Sequence, residues 1–173
     1  LLTVTRPGLL HVIDMKTDRI ARSCELPGKF GSGALVPAPD GRHAFVLGNL
    51  WEDVYGFELD TCKLVFSARQ SEGDVTVKTV QSLAVSADGS ELYTVQNPVR
   101  RGADRFEVLQ PRLAVYRIAD GLDAKPVRSF PVKRRITKIA ATAGGEVILG
   151  GADVEAIDVR SGAVRTVSAL ASW

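Results

Sequence analysis

The chain has 173 residues, 45% hydrophobic and 24% charged, with a formal net charge of +2. That is an ordinary balance for one globular domain with a real core, and too mild a charge to argue for nucleic acid or a membrane surface. No apolar run approaches the roughly 20 residues that cross a bilayer. The chain opens at Leu1 without a basic leader, so a removed targeting segment or a longer parent protein is expected.

In chain order, "LLTVTR" (1–6) reads as a strand, and "LLHVIDMKTDRIARSCEL" (9–26) as two more around a polar turn at Lys16–Asp18. "GKFGSG" (28–33) is Gly-rich but opens no helix, so it reads as a connection and not as a phosphate loop. "GALVPAPDGRHAFVLGN" (33–49) is a hairpin around Asp40-Gly41, and "VYGFELDTCKLVFSAR" (54–69) is a strand pair around Asp60-Thr61. The same two units return as "SLAVSADGSELYTVQN" (82–97), with Asp88-Gly89, and "LAVYRIADGLDAKPVRSF" (113–130), with Asp120-Gly121. They return again as "KIAATAGGEVILGGAD" (138–153) and "VEAIDVRSGAVRTVSAL" (154–170). Asp-Gly and Gly-Gly supply the positive φ that tight hairpin turns require, and the flanking runs are rich in strand-forming residues.

The unit is therefore four antiparallel strands, A to D from the inside out. Repeated in this way it predicts an all-β fold, a β-propeller of about four blades in an incomplete ring. A β-sandwich spaces its strands similarly but does not repeat whole four-strand units. The blades are placed at about 1–27 (strand A missing), 33–70, 80–132 and 136–170. Four-strand alternation puts the B-to-C and D-to-A connections on one face, called the upper face. The lower turns are short and carry Asp18, Asp40, Asp60, Asp88, Asp120 and Asp123. The upper face receives the long segments 48–53, 70–78, 97–112 and 131–135. Long loops on a rigid scaffold usually carry function. Segment 97–112 exceeds what a hairpin needs, and its Phe106 and Val108 require burial, internally or against a partner. The basic run Lys133, Arg134 and Arg135 reads as a solvated surface or as a docking patch.

The residue types that carry chemistry are sparse. The C-x-x-C-H of covalent haem is absent, the only histidines are the isolated His11 and His43, and no Ser-His-Asp grouping shares one face. No cofactor or metal is expected in this chain. Cys24 falls late in strand D of the first blade, and Cys62 in the lower C-to-D turn of the second. Five residues along an upright strand separate their heights by roughly 16 Å. Two free thiols are therefore expected.

The segment "NPVRRGADRFEVLQPRLAVY", followed by "RRITKIA" and "SALASW", resembles the β subunit of quinohemoprotein amine dehydrogenase. In that family a Ser/Asn-Pro-Val-Arg segment precedes Phe-Glu-Val-Gln-Pro and a strand of the form Val-Ala-Leu-Tyr. Here these correspond to Asn97, Pro98, Val99 and Arg100, then Phe106, Glu107 and Val108, then Gln110-Pro111. The inserted Leu109 departs from the pattern. The resemblance spans essentially the whole chain, and 97–112 is its specific part.

The resemblance implies the N-terminal half of a seven-bladed propeller, a non-catalytic subunit of a periplasmic bacterial complex that oxidises primary amines. The implied partners are a small subunit bearing cysteine tryptophylquinone and a dihaem cytochrome c subunit. The contact residues expected on the upper face are Trp51, Arg100, Arg101, Phe106, Glu107, Gln110, Arg112, Lys133, Arg134 and Arg135. A free-standing protein-binding propeller and a lactonase-like propeller enzyme are the alternatives.

Overall fold

The computed structural model describes residues 1–28, 31–133 and 135–168, which form four antiparallel sheets. The first holds β1 (Leu2–Thr5), β2 (Leu9–Asp14) and β3 (Arg19–Glu25) in that order. The second holds β4 (Gly31–Pro37), β5 (His43–Gly48), β6 (Asp53–Glu58) and β7 (Lys63–Arg69). In the third, β8 (Val75–Val85), β9 (Glu91–Arg101), β11 (Arg112–Arg117) and β12 (Arg128–Pro131) follow one another. The short β10 (Phe106–Val108) is added beside the far end of β9. The fourth holds β13 (Lys138–Ala141), β14 (Glu146–Gly150), β15 (Val154–Asp158) and β16 (Val164–Ser168).

Successive sheets pack face to face, which explains why several strands read as continuous apolar runs. In β5, Ala44 and Val46 enter the core shared with the first sheet, and Phe45 and Leu47 enter the core shared with the third. In β11, Ala114 and Tyr116 face the second sheet, and Leu113 and Val115 the fourth. Alternate side chains leave opposite faces of a strand, so a strand with a neighbour on each side is apolar throughout. Phe66 meets Phe45 edge-on at 5.6 Å and Tyr116 at 6.2 Å. Gly56 makes the tight packing possible, because a Cβ there would sit 2.7 Å from the Phe45 ring. Truncating Phe66, which is fully buried, costs about 3–5 kcal/mol at such a site.

The seams between sheets share one device. The outer strand of each sheet touches the turn before the outer strand of the next. At the second seam, Ser67 of β7 donates its N–H to the Gly121 carbonyl at 3.2 Å and accepts from the Ala124 N–H at 2.8 Å. At the third, the Phe130 ring of β12 lies where a Cβ on Gly162 would be, 2.8 Å away. At the first, Cys24 of β3 is bonded to Cys62 as a disulfide, with Cα atoms 5.1 Å apart.

The disulfide overturns the expected free thiols. The height argument treated the strands of a blade as upright. Neighbouring strands rotate by roughly 20–25°, so the fourth is turned by roughly 60–75° from the first. The outer strand runs sideways, and its late end reaches the lower turn of the next sheet. The Ser67 contacts have the same geometry without the sulfurs.

Two segments are also more regular than the sequence suggested. Residues 97–112 are not a loose connection: β9 continues to Arg101 and β10 folds back on it, with Phe106 opposite Arg101 and Val108 opposite Val99. On the other side of β9, Val75–Thr79 of β8 pair with Gln96–Arg100. The third sheet thus extends upward as a three-stranded ribbon. Gly31–Gly33, expected in a connection, belong to β4, and the rest of "GKFGSG" includes two positions outside the described residues.

Candidate partner-binding face

The connections β5–β6, β7–β8, β9–β11 and β12–β13 emerge at one end of the sheets. At the first of these, Asn49, Leu50 and Trp51 all take left-handed backbone conformations, with φ of 45°, 54° and 72°. Such a run is costly for bulky side chains. It is held by Lys78, whose Nζ donates to the Leu50 carbonyl at 3.1 Å and pairs with Glu52 Oε1 at 2.5 Å. Asn49 Nδ2 also donates to Asp53 Oδ2 at 3.0 Å. The result displays Leu50, 56% exposed, with Trp51 half-buried beside it.

Beneath the ribbon lies a buried polar column. Gln70 Oε1 accepts from Thr79 Oγ1 at 2.9 Å and from Gln96 Nε2 at 2.7 Å. Gln96 Nε2 also donates to the Tyr116 hydroxyl at 2.8 Å, and Gln96 Oε1 accepts from Arg112 Nε at 2.8 Å. Burial pushes the Tyr116 phenol up to about 12, so it stays protonated. Buried polar groups must find partners, and here they find one another. The column fixes the root of the ribbon. Above it, a cleft of about 440 Å³ opens between β8, β9 and residues 109–112.

The expected contact residues separate into groups. Phe106 and Val108 are 71% and 53% exposed, so neither is buried within the chain. Glu107 is exposed and pairs with Arg100 at 3.1 Å, and Arg100 also reaches Asp74 at 3.5 Å. Arg101 is exposed and has no ion pair among the described residues. Gln110 and Arg112 sit at the ribbon root, where Gln110 Nε2 donates to the Val132 carbonyl at 2.8 Å. That bond brings the 97–112 and 131–135 segments side by side. Lys133 of the basic run is nevertheless not free. Lys133 Nζ is bound to Glu155 Oε1 at 2.5 Å, which raises its pKa, and Arg135 is exposed in a left-handed conformation. Arg134 lies outside the described residues. Trp51 lies on this face but in the second sheet's connection.

The sequence reading missed Leu50, Lys78 and the Gln70–Gln96 column. A signal existed for the last: Thr94 and Gln96 stand at alternate positions in the apolar run "LYTVQ", which puts two polar side chains on one buried face. Among the described residues no three of His, Cys, Asp or Glu gather to hold a metal, and no helix is long and apolar enough to cross a membrane.

No protein-family profile matches the chain, and no curated protein does. Solved structures match its fold. A protein of unknown function from Desulfotomaculum acetoxidans aligns with 96% of this chain at 12% identity and a TM-score of 0.68. The β-propeller domain of Cps50 (Swd1) from Myceliophteria thermophila aligns with 96% at 16% identity and a TM-score of 0.64. KlHsv2 with its loop 6CD replaced by a Gly-Ser linker aligns with 94% at 12% identity and a TM-score of 0.62. The four sheets are thus the blades of a β-propeller, in an arc and not a closed ring. The chain spans about half the length of these structures, covering 49%, 50% and 52% of them.

Proposed function

We propose that this chain is the propeller portion of a non-catalytic subunit of a periplasmic quinohemoprotein amine dehydrogenase. Its upper face docks on the small subunit that bears the quinone and helps enclose the site where primary amines are oxidised. The haems that take the electrons belong to a third subunit, and this chain holds no cofactor. The observation that carries the reading is the ribbon. It is the segment whose sequence resembles that family, and it holds Phe106 and Val108 out in water. Exposed apolar side chains on a braced element suit a protein contact. The Cys24–Cys62 disulfide supports an oxidising compartment such as the periplasm.

The same exposed ribbon supports a coarser reading, a propeller that binds some other protein. Mixing the chain with the quinone-bearing and cytochrome subunits and separating by size exclusion tests the finer one. Co-elution is expected. Separate elution of this chain at micromolar concentration would contradict it.

A further inference from the structure

We propose that the cleft at the ribbon root binds a small carboxylate that carries a short apolar tail, with Arg112 as its anchor. Arg112 lines the cleft and is held from behind: its Nε donates to Gln96 Oε1, and Gln96 is only 1% exposed and fixed in turn by Gln70 and Tyr116. A guanidinium has five N–H donors, so four remain on the terminal nitrogens. Among the described residues no carboxylate lies within ion-pair distance of Arg112. A cation whose direction is set by a buried network, with its fork unpaired, is ready for bidentate binding of a carboxylate. Arg100 adds a second positive group on the rim, although Glu107 and Asp74 share its charge.

The remaining walls select the rest of the ligand. Val75, Val77, Pro98 and Leu109 line the cleft with apolar surface. A volume of about 440 Å³ falls in the range of small-molecule sites. Exposed Glu72 at the rim disfavours a dianion and leaves room for a single negative charge. The inference does not depend on the amine dehydrogenase reading, because the cleft is formed within this chain alone.

Calorimetric titration of the chain with hexanoate, hexanol, hexylamine and inorganic phosphate tests it. Hexanoate should bind, and the other three at least about tenfold more weakly. Arg112→Gln should weaken hexanoate at least about tenfold, and Arg112→Lys by less, since the charge remains but the fork is lost. If Arg112→Gln does not fold, Leu109→Glu serves in its place: a carboxylate on the cleft wall should abolish hexanoate binding. No heat with hexanoate up to about 10 mM would overturn the proposal. So would equal binding of hexanol, of phosphate, or of hexanoate to the folded Arg112→Gln protein.

Discussion

The upper and lower faces of the arc use polar chemistry in opposite ways. Three of the lower turns, at Asp40, Asp88 and Asp158, satisfy their own backbone. Asp40 accepts from the Arg42 N–H at 2.8 Å and the His43 N–H at 3.1 Å. Asp88 accepts from the Ser86 hydroxyl at 2.6 Å and the Ser90 N–H at 3.0 Å, and Asp158 from the Arg160 and Ser161 N–H groups at 2.8 Å each. A carboxylate that satisfies the amides of its own turn has little left for a partner. On the upper face the polar groups are used to hold unusual backbone, as Lys78 does, or to brace the ribbon, as Gln96 does. What they hold out is apolar: Leu50, Phe106 and Val108. The lower side, with its seams, carries stability, and the upper side is where the proposed function places recognition.

That division can be broken at either end. The largest effect is expected at the first seam. Replacing Cys24 and Cys62 together by Ser opens a link across 38 residues and should lower stability by about 3–4 kcal/mol in urea unfolding. Binding of partner subunits by the folded protein should not change. Gly162→Val at the third seam meets the Phe130 ring and a φ of 76°, and should cost about 1–3 kcal/mol. On the upper side, Phe106→Ser with Val108→Ser should weaken assembly at least about tenfold, roughly 1.4 kcal/mol, with the melting temperature unmoved. An equal loss of stability in that variant would mean that the ribbon belongs to the scaffold. The smallest effect is expected at Asp88→Ala, a fall of a few degrees in melting temperature with assembly intact.

The lower turns also predict an acid response. The Ser86 hydroxyl, then the Ser90 N–H, hold Asp88 down to about 2, below its ordinary 3.8. The Asp14, Asp40 and Asp158 carboxyls are lowered as well, Asp14 and Asp158 chiefly by backbone N–H bonds and Asp40 by His43 and backbone N–H bonds against a burial effect that raises it. A carboxyl lowered in the fold favours the ionised folded state. That contribution is complete above the ordinary carboxylate range and is lost as pH falls through the folded value. Stability should therefore drop between about pH 4 and pH 2, and the Asp88→Ala protein should show a shallower drop over the same interval.

The sheets were legible because two local signals repeat together: Asp-Gly or Gly-Gly turns at 40–41, 88–89 and 144–145, and apolar runs on both sides of each. The disulfide was not legible, since it depends on the accumulated twist of a four-strand sheet, and no single strand displays that. The ribbon was half legible. Its length and its aromatic were visible, but "VRRGADRFEV" has no Asn-Gly or Asp-Gly turn to announce a hairpin. Lys133 looked like part of a free cationic patch because its partner, Glu155, lies 22 residues away, on the third strand further on.

Hydrogen–deuterium exchange of this chain, alone and with the quinone-bearing subunit, tests the central claim most directly. The account predicts new protection in residues 97–112 and around 49–52, with the lower turns at 38–42, 86–90 and 159–163 unchanged. Protection at those lower turns with none in the ribbon would contradict it.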